Sequence, residues 1–134
     1  MEERYVDFET AKLLKLKGFD VPVYTSCSKK YKDDRPDVSI WRGDRKENHN
    51  DLPEEDNHFG FYSCPTQQMA MAWLREKHGF HIWSECIDFI EVGYIYITKI
   101  LNMKTWEEIK LDDYDYSSEN ACEEGLKYVL SNLI

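Results

Sequence analysis

The stretch from Ser63 to Ile82, SCPTQQMAMAWLREKHGFHI, constrains the fold more than any other part of the chain. Pro65 suits the first turn of a helix, where its missing N–H is no loss. Ser63, Cys64 or Thr66 then stands at the cap. Met69, Ala70, Ala72, Trp73 and Leu74 are compatible with a helix and can pack. His78 closes the last turn, where positive charge is favoured. Gly79 supplies the left-handed residue that ends a helix, and Phe80 follows where it can fold back on Leu74. The spacing predicts a helix over 65–78. From Phe80 the period switches to two. HIWSECIDF leads to a turn near Glu91 to Gly93, then to YIYITKIL, a turn at Asn102 to Lys104, and TWEEIKL. Such short connections make a three-stranded antiparallel meander over about 80–111. In its middle strand Ile95 and Ile97 share one face, and Tyr94, Tyr96 and Thr98 the other. The aliphatic pair is expected toward helices and the tyrosines toward a wetter face.

The flanks read as two more helices. Asp7 is an N-cap, Glu9 suits the first turn, and Phe8, Ala11 and Leu14 with Leu13 and Leu16 form a broad apolar face. Gly18 fits the left-handed stop, with Phe19 folding back on Leu14. That helix is expected over 8–17. At the other end Ser117 or Ser118 can cap a helix over 118–132. Its stripe is Cys122, Leu126, Val129, Leu130 and Leu133. Gly125 within it costs about 1 kcal/mol relative to Ala, so packing must hold this helix. Between the first two helices the pattern is weaker. Pro22 confines any strand near Val21 to Tyr24 to an edge or to its own beginning. Ser28 to Asp37 reads as a polar connection. Val38–Trp41 and Phe59–Tyr62 read as strands of a hairpin, 38–42 with 58–62, around a polar loop at 42–58. Asp112 to Ser118 reads as a turn. The fold class is α+β, in a single domain over 1–134.

Composition bounds the function classes. The chain is 42% hydrophobic and 14% aromatic, which argues against wholesale disorder. No apolar run approaches the roughly 18 residues of a membrane span, and MEERYVDFET is not a secretion signal. The cytoplasm is therefore the expected location, with no membrane association. Four cysteines, Cys27, Cys64, Cys86 and Cys122, are widely spaced and fit reduced thiols. Net charge is −9: Met1 to Ser63 carries 11 basic and 14 acidic residues, Cys64 to Ile134 6 and 12. Such a chain repels phosphate backbones, so direct nucleic-acid binding is disfavoured.

The motif PTQ followed by WLREKH, the opening ETAKLLKLKGFD and the closing CEEGLKYVLSNLI resemble a group of small proteins of Bacteroides-type bacteria, often in phage or prophage settings. The resemblance covers about half of the chain and leaves 20–62 unmatched. It implies a bacterial, phage-derived cytoplasmic protein, and it brings no activity, cofactor or catalytic residue.

Candidate chemistry is sparse. Cys64, His78, His81 and Cys86 are ligand types for zinc. Their spacing fits no standard zinc pattern, and Cys64 and His78 would sit about 20 Å apart at opposite ends of one helix. No metal and no cofactor is expected. Cys64 at a helix N-terminus is a candidate nucleophile, its thiolate favoured by free N–H groups, with His49, His58 or His81 as a base. Six glycines stand singly, so there is no phosphate-binding loop or dinucleotide fingerprint. No serine sits in a nucleophile elbow. Glu107 and Glu108 would point to opposite faces of a strand. Arg42-Gly43-Asp44 reads as an ordinary turn. Two surfaces remain. Trp83, Tyr94, Tyr96 and Trp106 suggest an aromatic sheet face for a protein partner or a homo-oligomer. Glu107 to Glu124 holds eight acids and one lysine. Such a belt could imitate a phosphate backbone and inhibit a DNA-binding enzyme. The leading expectation is a non-catalytic binding or accessory protein of phage or prophage origin.

Overall fold

The structure, a computed structural model, describes residues 4–32, 35–51, 57 and 60–134. Among the described residues there are three helices and two three-stranded antiparallel sheets, an α+β fold. The elements fall into two compact units. Tyr5–Thr66 forms one; Met1–Arg4 with Gln67–Ile134 forms the other.

In the Tyr5–Thr66 unit, α1 spans Phe8–Leu16 and its ends follow the local chemistry. The Asp7 carboxylate accepts from the Thr10 N–H at 2.9 Å. Gly18 takes φ +89, and the Phe19 N–H returns to the Leu14 carbonyl at 2.9 Å. Phe19 and Leu14 are both buried. Pro22 stands just before β1, Val23–Lys32, which pairs with β2, Arg35–Glu47, on one side. On the other side β1 pairs with β3, Tyr62–Ser63. The sheet order is β2-β1-β3.

The expected hairpin between 38–42 and 58–62 is replaced by this arrangement. β2 pairs with β1, and so does β3. Residues 28–32 and 35–37, expected as a polar connection, are strand. The expected loop at 42–58 is strand as far as Glu47, while Leu52–Asp56, His58 and Phe59 lie outside the described residues. The physical reason is that backbone pairing is indifferent to side-chain polarity. An outer strand such as β2 tolerates polar residues, and the middle strand β1 buries small polar ones, Thr25, Ser26 and Ser28. After Glu47 the chain is held by side chains. The Asn50 amide donates to the Phe19 carbonyl at 2.9 Å and its oxygen accepts from the Ser63 N–H at 2.9 Å.

The second unit opens on α2, Gln67–His78. It starts after Thr66, later than the expected 65, and stops at Gly79, φ +74. β4 (Phe80–Phe89), β5 (Gly93–Asn102) and β6 (Glu108–Asp115) follow as a meander of order β4-β5-β6. β6 runs into the expected turn at Asp112 to Ser118, and Thr105 to Glu107 lies outside it. α3, Ser118–Asn132, is capped by Ser117, whose hydroxyl accepts from the Asn120 N–H at 3.2 Å. α3 lies close on the sheet: a Cβ at Gly125 would stand 2.6 Å from Ile82 Cγ2 and 2.8 Å from Thr98 Cγ2. Thr98 donates its hydroxyl to the Ala121 carbonyl at 2.6 Å. The Gln67 amide of α2 donates to buried Glu123 of α3 at 2.7 Å, and to the Glu119 carbonyl at 2.9 Å.

These contacts reverse one expectation. The β4–β5 register is unbroken from Phe80↔Asn102 to Phe89↔Gly93, so side chains alternate strictly along β5. Thr98 faces α3; Tyr94 and Tyr96 therefore share the helix-side face, and Ile95 and Ile97 the opposite one. The close seat of Gly125 decides this, because a small Thr fits under the helix where a Tyr would not.

Candidate functional site

The four aromatic residues singled out from the sequence do not form one patch. Trp83 pairs across with Lys99 on the face away from α3, where its ring stacks on His81 at 5.4 Å. Tyr96 lies opposite Cys86 on the helix-side face; the charge of Cys86 and a hydrogen bond to it raise the Tyr96 hydroxyl above its ordinary pKa. Tyr94 is on the same side, 66% exposed. Trp106 is in the β5–β6 turn at φ +62, 72% exposed. Alternation separates Trp83 from the tyrosines, and a turn separates Trp106 from both.

A different group does converge. The β4–β5 turn is closed by a Val92 N–H bond to the Phe89 carbonyl at 3.1 Å, with Gly93 at φ +91. Its side chains are apolar where turns are usually polar. Ile90 is 100% exposed, Phe89 50% and Val92 50%. Beside it runs the far end of β6, since Ile97 pairs with Tyr114 and Tyr96 with Asp115. Tyr114 and Tyr116 are exposed there, their rings edge to face at 5.9 Å. Their shared hydrogen bond and the charge of Tyr114 raise the Tyr116 hydroxyl. Tyr94 stands near the same end on the helix-side face, while Tyr114, opposite Ile97, is on the other face, so the exposed apolar cluster proper is Phe89, Ile90 and Val92. Exposed apolar side chains grouped in this way mark an interaction surface. The sequence signal was present: FIEV interrupts the meander with apolar residues at the position of a turn.

The rest of this end is acidic. No lysine or arginine occurs between Ser84 and Thr98 or between Leu111 and Leu126. A groove of about 880 Å³ runs between β6 and α3, lined among others by Asp112, Asp113, Asp115, Glu124 and Lys127. Among the described residues, no group of three or more His, Cys, Asp or Glu could hold a metal ion.

Cys64 is placed far from nucleophile geometry. It precedes α2 by three positions, is fully buried, and its thiol donates to the Val6 carbonyl at 3.3 Å. Thr25 donates to the Cys64 carbonyl. The His49 ring is committed to the Val23 carbonyl through Nε2 at 3.1 Å. His81 stacks on Trp83, and His58 lies outside the described residues. Cys86 is the exposed thiol, and burial pushes the Cys122 thiol up.

No known protein family, curated protein or solved structure matches the chain. Among the described residues, no helix is long and apolar enough to cross a membrane.

Proposed function

We propose that this is a non-catalytic protein-binding or accessory protein that docks through the apolar end of its β4–β5 hairpin. One observation carries the reading: Ile90 stands fully in water at the tip of a regular, well-paired hairpin, flanked by Phe89 and Val92. A hairpin of that kind is stable without such residues at its tip, and burying an Ile side chain in a partner would stabilise a complex by about 1.5–3 kcal/mol. Tyr94, exposed close to the turn, is of a residue type enriched at the energetic centre of protein interfaces. We infer a cytoplasmic location from the lack of an apolar run of membrane length in the sequence, and a phage or prophage origin from the PTQ…WLREKH resemblance.

The test is cross-linking in host extract with wild type and with an Ile90→Asp, Phe89→Ser variant. A protein recovered with wild type and lost with the variant supports the reading. Identical recovery with both would sink it.

The groove between β6 and α3 favours a second reading. Asp112, Asp113, Asp115 and Glu124 lie along one feature rather than scattered over the surface, which suits an acidic inhibitor that imitates nucleic acid toward a DNA-binding enzyme. Replacing Asp112, Asp113 and Asp115 by Asn should then abolish inhibition of such an enzyme; retention of inhibition would remove this reading.

A further inference from the structure

Among the described residues, two sheet edges are long, regular and paired with no further strand. β2 is the outer strand of its sheet, and its pairing with β1 is regular from Thr25↔Arg42 to Lys32↔Arg35. β4 is an outer strand of the other, paired without interruption along all ten residues. The other two edges are poor templates: β3 has two residues, and β6 is irregular opposite Ile97 and Lys99. An uncovered regular edge offers a row of unpaired N–H and C=O groups and is blunted in most proteins by charge, proline or bulges.

Neither edge is blunted at its apolar part. On β2, Val38 is 47% exposed, Ile40 55% and Trp41 65%. The β4 edge leads into Phe89 and Ile90. The net charges differ in sign. Beside the β2 patch stand Arg42, Arg45 and Lys46 with Asp44 and Glu47, and Glu47 already holds Arg45 at 2.6 Å; Arg42 and Lys46 lie over the Tyr24 ring at 4.9 and 5.6 Å. Beside the hairpin stand Asp88 and Glu91, in a stretch without a basic residue. Pairing β4 with β4 would set these acids against each other. Pairing β2 with β4 sets opposite charges together and covers apolar surface on both sides.

We propose that β2 of one copy adds as a strand to the β4 edge of a second copy. Val38, Ile40 and Trp41 then cover the apolar hairpin end, while Arg42 and Lys46 meet Asp88 and Glu91. This rests on the reading of the hairpin end as a protein-binding surface and names its occupant. The contact joins two different surfaces, so it is head-to-tail. Backbone hydrogen bonds supply the attraction, and the side chains set the register.

Sedimentation velocity across a concentration series tests it with the whole chain. Wild type is expected to self-associate. Trp41→Asp alone and Ile90→Asp alone are expected to stay monomeric. An equimolar mixture of the two should form a one-to-one dimer, because each supplies the surface the other lacks, and growth stops there. Ile40→Lys and Phe89→Lys make a second pair, used if circular dichroism shows either first variant unfolded. A monomeric wild type at its highest soluble concentration overturns the proposal, as does a mixture that stays monomeric or a single variant that still associates. A monomeric wild type leaves the hairpin reading to the host-extract experiment. If the hairpin variant alters neither self-association nor host-extract recovery, both readings fall.

Discussion

At the scale of single residues, Gly125 shows how packing overrules propensity. A glycine inside α3 weakens the helix by about 1 kcal/mol relative to Ala. It is kept where a Cβ would come within 2.6 Å of Ile82 and 2.8 Å of Thr98. Overpacking of that kind costs about 1–3 kcal/mol. Gly125→Ala is therefore expected to destabilise the protein despite its better propensity, by up to about 2 kcal/mol net. Urea denaturation checks it, and a variant with a higher midpoint than wild type would contradict the close seat of α3. The sequence showed that Gly125 sits in a helix. It could not show what lies opposite, because that depends on residues 27 and 43 positions away in the chain. Cys64 teaches the same lesson. Its neighbours suggested a helix N-terminus, but the chain makes the Tyr5–Thr66 bridge before α2 starts, and the thiol is turned onto Val6.

At the scale of elements, the parts legible in the sequence are those whose ends carry their own chemistry. Asp7, Gly18, Gly79 and Ser117 fix helix termini by local bonds or left-handed backbone. The β4–β5–β6 meander was legible from its alternation. β1 and β2 were not, because Ser, Lys, Arg and Asp predominate from Ser28 to Glu47: β2 is an outer strand that needs no apolar alternation, and the middle strand β1 buries Thr25, Ser26 and Ser28 rather than an aliphatic run. The face of the meander away from α3 also carries an ionic cluster. Lys99 of β5 reaches Glu85 of β4 at 2.5 Å and Glu108 of β6 at 3.2 Å. The hydrogen bond and charge of Lys99 hold the Glu85 carboxyl below its usual range. Bonds to Glu85 and Glu108 raise Lys99. For the depressed carboxylate, the stabilisation is present above the unfolded value of about 4.3 and is lost as pH falls through the lower folded value. For raised Lys99, it is full below about 10.4 and is lost as pH rises through the higher folded value. These groups are solvated, so the effect is small and screened by salt. Lys99→Met is expected to flatten the acid limb of thermal stability. Melting curves for the two proteins that run parallel below about pH 5 would count against it.

At the scale of the whole molecule, the chain's path suggests how the units fold. Arg4 belongs with Gln67–Ile134, and everything from Tyr5 to Thr66 forms the other unit. The two crossing points are adjacent. The Gln67 N–H donates to the Arg4 carbonyl at 2.8 Å, and the Arg4 guanidinium donates to the Asn120 side chain at 2.6 Å. One residue further along, Tyr5 bridges Thr66, and the Val6 N–H donates to the Pro65 carbonyl at 3.0 Å. The Tyr5–Thr66 unit is thus an insertion whose ends are already held together, a site type that tolerates removal or grafting. Its partner has an apolar core of its own: Leu74, Phe80, Ile82, Ile100, Leu126, Val129 and Leu130 are buried. Joining Arg4 to Gln67 by a short Gly-Ser linker costs little loop entropy, since closure scales only with the logarithm of length. The shortened chain is expected to keep the meander and both helices and to melt cooperatively. At this size it buries only about 60% of its unfolded surface, so its stability should be lower than that of the full chain. Amide proton dispersion and near-ultraviolet circular dichroism check this. A collapsed product with helical signal but no fixed side-chain environment would show that the inserted unit is needed for the packing of the other.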